Sequence, residues 1–341
     1  MAYTDLREWI AALERGGELK RVKTAVSPIL EVTEITDRVS KRKPASGAAQ
    51  PANAGGPALL LENLKDHPGA SLLINQFGSE RRMNMALGLG SGPEASLEQI
   101  AERIRALMDV KSPQGLIDKL KMLPMLAEMG AVFPKIVSTG PCKEIIRKQD
   151  LNVLDFPILQ CWPLDAGRFI TLPCVITRDP RTGKRNVGMY RLQVFDGQTL
   201  GMHWQRQKVG AEHYRDAMRR AAQGDSNRSA AVDVMARTGG GAIAPEGDRP
   251  GGRIEVAVAI GTEPALTFSA IVPAPPEVEE FLIAGFLRQK PVELVKCETV
   301  DLEVPASAEI VLEGYVNLDE LRTEGPFGDH TGFYSLADEY P

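Results

Sequence analysis

From about Lys143 onward the chain is cut into short apolar runs by turn residues, a texture that only small β-strands can satisfy. The runs are Leu172–Thr177, Gly188–Phe195, Thr199–Trp204, Ile254–Ile260, Thr267–Ile271 and Glu309–Val316. Asp179-Pro180-Arg181-Thr182-Gly183 and Asp196-Gly197 supply the residues that hairpin turns require. Many short strands with turns at this spacing predict a β-barrel, interrupted by helices around Ala211–Ala222 and Glu277–Leu287. No internal repeat is visible.

The first third reads differently. Leu6, Trp9, Ile10 and Leu13 fall at helical spacing, with Thr4 or Asp5 as cap and Gly16-Gly17 as the stop. Val32, Ile35 and Val39 mark a second amphipathic helix ending at Lys41-Arg42-Lys43-Pro44. The Ala/Gly/Pro-rich run from Pro44 to Pro57 predicts a mobile loop. Ala58–Leu61 and Ser71–Phe77 read as strands, and Ser96 with Gln99 as the capping box of a helix bearing Leu97, Ile100, Ile104, Leu107 and Met108. The expectation is an α/β domain over residues 1–112, a helical connector over 113–142 that includes Leu116–Met129, and the strand-rich domain from 143.

At 341 residues the chain is long enough for two domains. A formal charge of -5 argues against a non-specific nucleic-acid binder. Cys142, Cys161, Cys174 and Cys297 form no C-x-x-C pair, so neither a zinc knuckle nor a disulfide framework is indicated. With no signal-peptide pattern at Met1–Asp5 and no stretch near the roughly 20 apolar residues that span a bilayer, a cytoplasmic protein is expected.

Glu324-Gly325-Pro326-Phe327-Gly328-Asp329-His330 places two carboxylates and an imidazole on a stretch that Pro326 keeps out of any regular helix. It reads either as a solvated acidic turn or as a pair of acids, one held ionised and one tuned to deliver a proton. His203 lies in Met202-His203-Trp204-Gln205-Arg206-Gln207-Lys208, just after Asn186–Arg191, and these segments offer groups that suit a phosphate and a flat heterocycle. On a strand, Asn186, Gly188 and Tyr190 share one face and Val187, Met189 and Arg191 the other. Arg191 on that apolar face needs an anion, from an internal salt bridge or a ligand. Glu277, Glu279 and Glu280 precede the apolar run Phe281–Leu287, as dipole partners or as an oxygen ligand to a hard cation. There is no P-loop, and Gly239-Gly240-Gly241 reads as a flexible loop.

In order and spacing, Asn186-x-x-x-x-Arg191, Glu280 before its apolar helix, and Glu324–Gly332 resemble the UbiD family of decarboxylases. Asp301–Ile310 and Leu6–Ile10 are similar to that family too, so the resemblance covers essentially the whole chain. It implies a split β-barrel domain over 143–335 carrying prenylated FMN beside the N-terminal α/β domain, and reversible removal of CO2 from aromatic or α,β-unsaturated acids. It further implies that Asn186 and Glu280 hold Mn2+ at the cofactor phosphate, with K+ nearby. Met189, Tyr190, Arg191, His203, Trp204, Gln205 and Lys208 match cofactor-contacting stretches. Arg191, Glu324 and Asp329 match the catalytic network, with Asp329 as a proton donor of raised pKa.

Two departures stand out. Family members often have a metal-binding histidine around Gln207, where either an amide oxygen replaces it here or the metal binds differently. Family members also continue past Pro341, so residues 336–341 read as the start of a missing C-terminal domain, in a truncated or shortened relative. The Asn186–Arg191 and Glu324–Gly332 segments look most like the quinone-biosynthesis branch, which implies 4-hydroxy-3-polyprenylbenzoate as substrate. That branch also implies a flavin prenyltransferase as cofactor supplier, a homo-oligomer at full length, and peripheral membrane contact for a prenylated substrate. The rival readings are a phenolic-acid carboxylase and an inactive flavin-binding or assembly module.

Overall fold

The computed structural model describes residues 3–41, 55–90, 96–108, 130–222, 252–274 and 278–341. Helix α1 (Leu6–Arg15) starts where Asp5 accepts the Glu8 N–H at 2.8 Å and stops at Gly16-Gly17, the latter at φ +70°. Strand β1 (Leu19–Val22) pairs in parallel with β2 (Ala58–Leu61), and β3 (Leu72–Ile74) adds antiparallel to β2. All four residues of β2 are buried because both faces are covered. Ala58 packs with Trp9 and Leu13 of α1, while Leu59 and Leu61 pack with Val32 of helix α2 (Glu31–Ser40). Helices α3 (Glu80–Ala86) and α4 (Glu98–Met108) follow, the second with Ser96 Oγ accepting the Glu98 N–H at 3.1 Å. The first third is α/β as expected.

The rest carries β4 (Lys135–Ile136), β5 (Phe169–Ile170), β6 (Cys174–Arg178), β7 (Arg185–Met189), β8 (Leu192–Val194), β9 (Leu200–Met202), helix α5 (Val209–Ala222) and β10 (Arg253–Ile260). Helices α6 (Pro264–Ser269) and α7 (Glu280–Arg288) precede β11 (Glu293–Lys296), β12 (Glu303–Pro305), β13 (Ile310–Asn317), β14 (Arg322–Glu324), β15 (Phe327–Gly328), β16 (Tyr334–Ser335) and β17 (Asp338–Tyr340). The central sheet runs β13-β10-β6-β7, antiparallel throughout. Beside it lie β12-β11-β4, β5-β8-β9 and the pairs β14-β17 and β15-β16. Among the described residues none of these sheets closes on itself.

The central sheet is buried on both faces. Ala257 and Ala259 of β10 pack with Leu266 of α6, Phe281 of α7 and Leu294 of β11, whereas Ile254, Val256 and Val258 face Tyr190, Trp204 and Tyr214. Small residues on one face and larger ones on the other turn the period-2 alternation into a nearly continuous apolar run.

Both expected hairpins are present. Asp179 accepts the Arg181 N–H at 2.7 Å between β6 and β7, and Asp196 accepts the Thr199 N–H at 2.8 Å between β8 and β9. Two expected strands are corrected. Thr267–Ile271 is not a strand, because Glu263 caps α6 through the N–H groups of Ala265 and Leu266 at 2.9 Å and Pro264 opens it. Gly188–Phe195 is not continuous, because the chain leaves β7 after Met189 and enters β8 at Leu192. Leu116–Met129, Gly239–Gly241 and Glu277 lie outside the described residues. All four cysteines are free. Among the described residues no helix is long and apolar enough to cross a membrane.

Candidate active site

The break between β7 and β8 is what aims Arg191. Tyr190 turns inward, its hydroxyl accepting the Gly210 N–H at 3.1 Å and the Asn186 Nδ2 at 3.3 Å. Its ring fills the space above Gly188, where a Cβ would come within 2.2 Å. Asn186, Gly188 and Tyr190 therefore share a face, as their spacing predicts. Arg191 is turned to the end of β14, where Glu324 is 0% exposed. Arg191 Nε reaches Glu324 Oε1 at 2.7 Å and Nη2 reaches Oε2 at 3.0 Å, a bidentate pair. Phe327 lies under the guanidinium, 4.6 Å from its carbon to the ring centroid.

Two further groups join the pair. Ser335 Oγ accepts from Arg191 Nη2 at 3.1 Å. His203 Nδ1 stands 2.9 Å from Glu324 Oε2 and 3.0 Å from Arg191 Nη2. One ring nitrogen can donate to the carboxylate or accept from the guanidinium, but not both at once. Burial alone pushes the Glu324 pKa up, but hydrogen bonds from His203 and Arg191, with the arginine charge, hold it below its ordinary 4.5. Glu324 is thus ionised at neutral pH.

The loop that follows is shaped by glycine. Gly325 sits at φ +89°, its N–H donated to Gln193 Oε1 at 2.8 Å. Gly328 has no room for a side chain, since a Cβ would lie 2.1 Å from the Trp162 indole. Asp329 then emerges on the rim with its side chain 38% exposed, beside His330 Nδ1 at 3.0 Å and the Thr331 N–H at 3.4 Å. Among the described residues it makes no hydrogen bond or ion pair with Arg191 or Glu324. In the free protein the Asp329 pKa is not raised. What burial there is pushes the Asp329 carboxyl up, but the Thr331 and His330 bonds outweigh it and hold it below 3.8.

The cofactor-matching stretch lines an open cleft of about 560 Å³ bounded by Trp204, Gln205, Arg206, Gln207 and, from β17, Asp338, Glu339 and Tyr340. Tyr340 packs on His203 with ring centroids 4.4 Å apart, so this cleft borders the Arg191–Glu324 pair. Gln207 Nε2 bonds Gln205 Oε1 at 2.9 Å, and Lys208 accepts the Glu212 N–H of α5 at 3.0 Å through its carbonyl. Met189 is half-buried and packs against the core cluster that includes residues of β6 and β10.

Asn186 and Glu280 are both buried, and Glu280 Oε2 accepts the N–H of Val187, the residue after Asn186, at 2.9 Å. Burial, with Glu279 nearby, pushes the Glu280 pKa above 4.5 despite that bond. Arg185, the nearest cation in sequence to Asn186, is committed to Glu279 at 2.7 Å and Glu303 at 2.8 Å. Among the described residues no group of three or more His, Cys, Asp or Glu is gathered as a ligand set. Sequence reasoning missed Ser335, Gln193 and Tyr340, which pairing brings in from distant strands. The signal for Ser335 is its register opposite Phe327, whose N–H lies 3.3 Å from Ser335 Oγ.

Comparison with known proteins decides the family. A model described as the 3-octaprenyl-4-hydroxybenzoate carboxy-lyase Rift-related domain matches residues 135–341, and the corresponding N-terminal domain model matches residues 10–104. The chain belongs to the UbiD family. An uncharacterized protein of Archaeoglobus fulgidus is 47% identical over the whole chain, and one of Aquifex aeolicus is 44% identical over 99% of it. The UbiD chain spans 60% of the length of each of these relatives. Among solved structures, an evolved dimeric form of the UbiD-class enzyme HmfF from Pelotomaculum thermopropionicum, in complex with prFMN, matches 99% of the chain. It does so at TM-score 0.74 and 28% identity, over 63% of its own length. The vanillic acid decarboxylase of Sedimentibacter hydroxybenzoicus in closed form matches the whole chain at TM-score 0.74 and 26% identity, over 60% of its own length.

Proposed function

We propose that this UbiD-family protein removes CO2, reversibly and without net oxidation, from an aromatic or α,β-unsaturated carboxylic acid with prenylated FMN as cofactor. The observation that carries this reading is the buried Arg191–Glu324 pair. It uses Nε and Nη2 of the arginine, and among the described residues Nη1 carries no hydrogen bond, leaving a donor for a second carboxylate. The family description favours 4-hydroxy-3-polyprenylbenzoate as the substrate. We read residues 1–112 as the α/β domain and 143–335 as the cofactor domain, with β13-β10-β6-β7 and β5-β8-β9 as facing halves of a split barrel.

The residues present fit the cofactor. Trp204 and Gln205 edge a cleft of flavin-compatible size, and Lys208 with Arg206 brings positive charge to a phosphate. When bound, prenylated FMN supplies the electron sink that makes loss of CO2 feasible. Arg191 orients the substrate carboxylate, and Glu324, kept ionised, fixes the guanidinium plane. As the C–C bond breaks, CO2 leaves and the bonding pair stays on carbon, which takes a proton from Asp329. Because Asp329 is exposed and ionised in this arrangement, covering of the rim by substrate is what raises its pKa enough to carry that proton. Supply of the cofactor by a flavin prenyltransferase and assembly as a homo-oligomer complete the reading.

A divalent cation fits Asn186 and Glu280, because Glu280 is a buried carboxylate with an amide neighbour and no basic partner among the described residues. We assign them Mn2+, with K+ nearby and Gln207 as a third oxygen donor. Glu280→Ala is expected to lose most flavin absorbance during purification together with manganese in elemental analysis. Full flavin occupancy in metal-stripped protein would contradict the assignment. The reading as a whole is tested by co-producing the protein with a flavin prenyltransferase and measuring its absorption spectrum and CO2 release from a panel of aromatic acids. A flavin spectrum with release from at least one acid is expected, and a colourless, inactive protein would reject it.

A further inference from the structure

Asp165 lies outside the residues given a role above. It is 7% exposed and carries no ion pair among the described residues. Its carboxylate instead takes three backbone N–H groups. Oδ2 accepts from Cys161 at 3.1 Å and Trp162 at 2.8 Å, and Oδ1 accepts from Gly328 at 2.7 Å. The first two bonds tie the side chain to its own turn. The third crosses 163 residues of sequence to the loop between Glu324 and Asp329.

The rest of that turn grips the same loop. Ala166 donates its N–H to Pro326 O at 2.9 Å, and the Leu164 N–H is donated to the Tyr334 hydroxyl at 3.1 Å. The Trp162 indole sits where a Gly328 side chain would be and meets Tyr334 edge-on at 5.2 Å. Gln193, which holds the Gly325 N–H, donates its Nε2 to Ala166 O at 3.4 Å. Both ends of Glu324–Asp329 are thus referred back to residues 161–166.

We infer that Asp165 is a positioning residue for the reaction, setting where Asp329 stands relative to the Arg191–Glu324 pair by holding the Gly328 N–H. This rests on the decarboxylase reading for its catalytic meaning, whereas the holding itself does not. A carboxylate is the only side chain of this size that offers acceptors alone in all three directions. Asparagine would turn an N–H toward at least one backbone N–H and leave a buried donor unmet. Displacing a reacting group by about 1 Å costs on the order of 100-fold in rate. Carboxylate recognition by Arg191 does not pass through Gly328, so substrate affinity is spared.

The test is Asp165→Asn in the cofactor-loaded protein. Expected are a kcat lower by about 100-fold, KM within about twofold, and flavin content equal to that of the parent. Unchanged kcat, or loss of kcat only in proportion to lost flavin, would overturn the inference. Amide hydrogen exchange provides a readout independent of activity: 326–334 should lose protection in the variant while 253–260 keeps it. Should the variant not fold, the parent decides by itself. Its Gly328 amide should exchange far more slowly than that of Thr331, and equal rates would reject the holding role. A parent protein inactive on every acid would sink the decarboxylase reading and leave the exchange result to judge Asp165.

Discussion

Replacing Asp329 with asparagine is expected to lower CO2 release by at least about 100-fold while leaving flavin bound. The amide keeps size and polarity but has no proton to give to carbon. Because Asp329 is exposed and its partners are the adjacent His330 and Thr331, the change should leave folding untouched, and the loss can be read as chemistry. The pH dependence follows from where this carboxyl sits. In the free protein it is held below 3.8 and is ionised at neutral pH. Covered by substrate, it must be protonated to act. Activity should therefore fall as pH rises, and kcat, which reports the loaded state, should fall at a higher pH than kcat/KM. Near-normal turnover in Asp329→Asn, with flavin content confirmed, would move the proton donor to Glu324 or to water.

Arg191→Met should abolish activity and destabilise the protein as well. The arginine side chain is 15% exposed and that of Glu324 0%, so removing one partner strands a buried charge, a loss of about 3–5 kcal/mol. In the parent the Glu324 pKa is depressed below 4.5, so the stability this gives is present above about 4.5 and is lost as pH falls through the lower, folded value. Without Arg191, only His203 is left to oppose burial, and the Glu324 pKa is expected to rise. The variant's relative stability should then be better in mild acid and worsen as pH rises toward 7, the reverse dependence. Urea unfolding at pH 5 and pH 7 on both proteins checks this. A variant no more unstable at pH 7 than at pH 5 would show that Glu324 is not desolvated as described. Arg191→Lys should not restore activity, because an ammonium cannot span both carboxylate oxygens and still reach Ser335 and a substrate.

Local signals in the sequence were legible where one element decides its own structure. The cap at Thr4 or Asp5, the Gly16-Gly17 stop, the strand Ala58–Leu61 and the turn at Asp179–Gly183 all follow from residues within a few positions of each other. Thr267–Ile271 failed for a comparable reason in reverse. Its β-branched and aromatic residues suggest a strand, but Glu263-Pro264 just before them is a cap followed by a helix-opening proline. Of the two helices that cover one face of the central sheet and make its strands apolar on both sides, α7 was expected around Glu277–Leu287 and α6 was not.

The site divides along the same line. Arg191 and Glu324 could be paired from the need of a buried cation for an anion, together with the family resemblance. His203 could be placed nearby but not given its shared contact to both, since that depends on β8-β9 pairing. Gln193 and Asp165 act through backbone groups far away in sequence, Ser335 meets the distant Arg191 side chain, and no periodicity announces such partners. Asp329 was expected inside the network, and its position on the rim follows from the Asp329–Gly332 turn, closed by the Gly332 N–H donated to Asp329 O at 3.0 Å.

The most direct test of the central claim is decarboxylation in D2O by protein co-produced with a flavin prenyltransferase, comparing the parent with Arg191→Lys. The account predicts one deuterium at the carbon that lost CO2 for each CO2 released by the parent, and neither CO2 nor deuterated product from Arg191→Lys. Equal CO2 release and labelling in both proteins would contradict it.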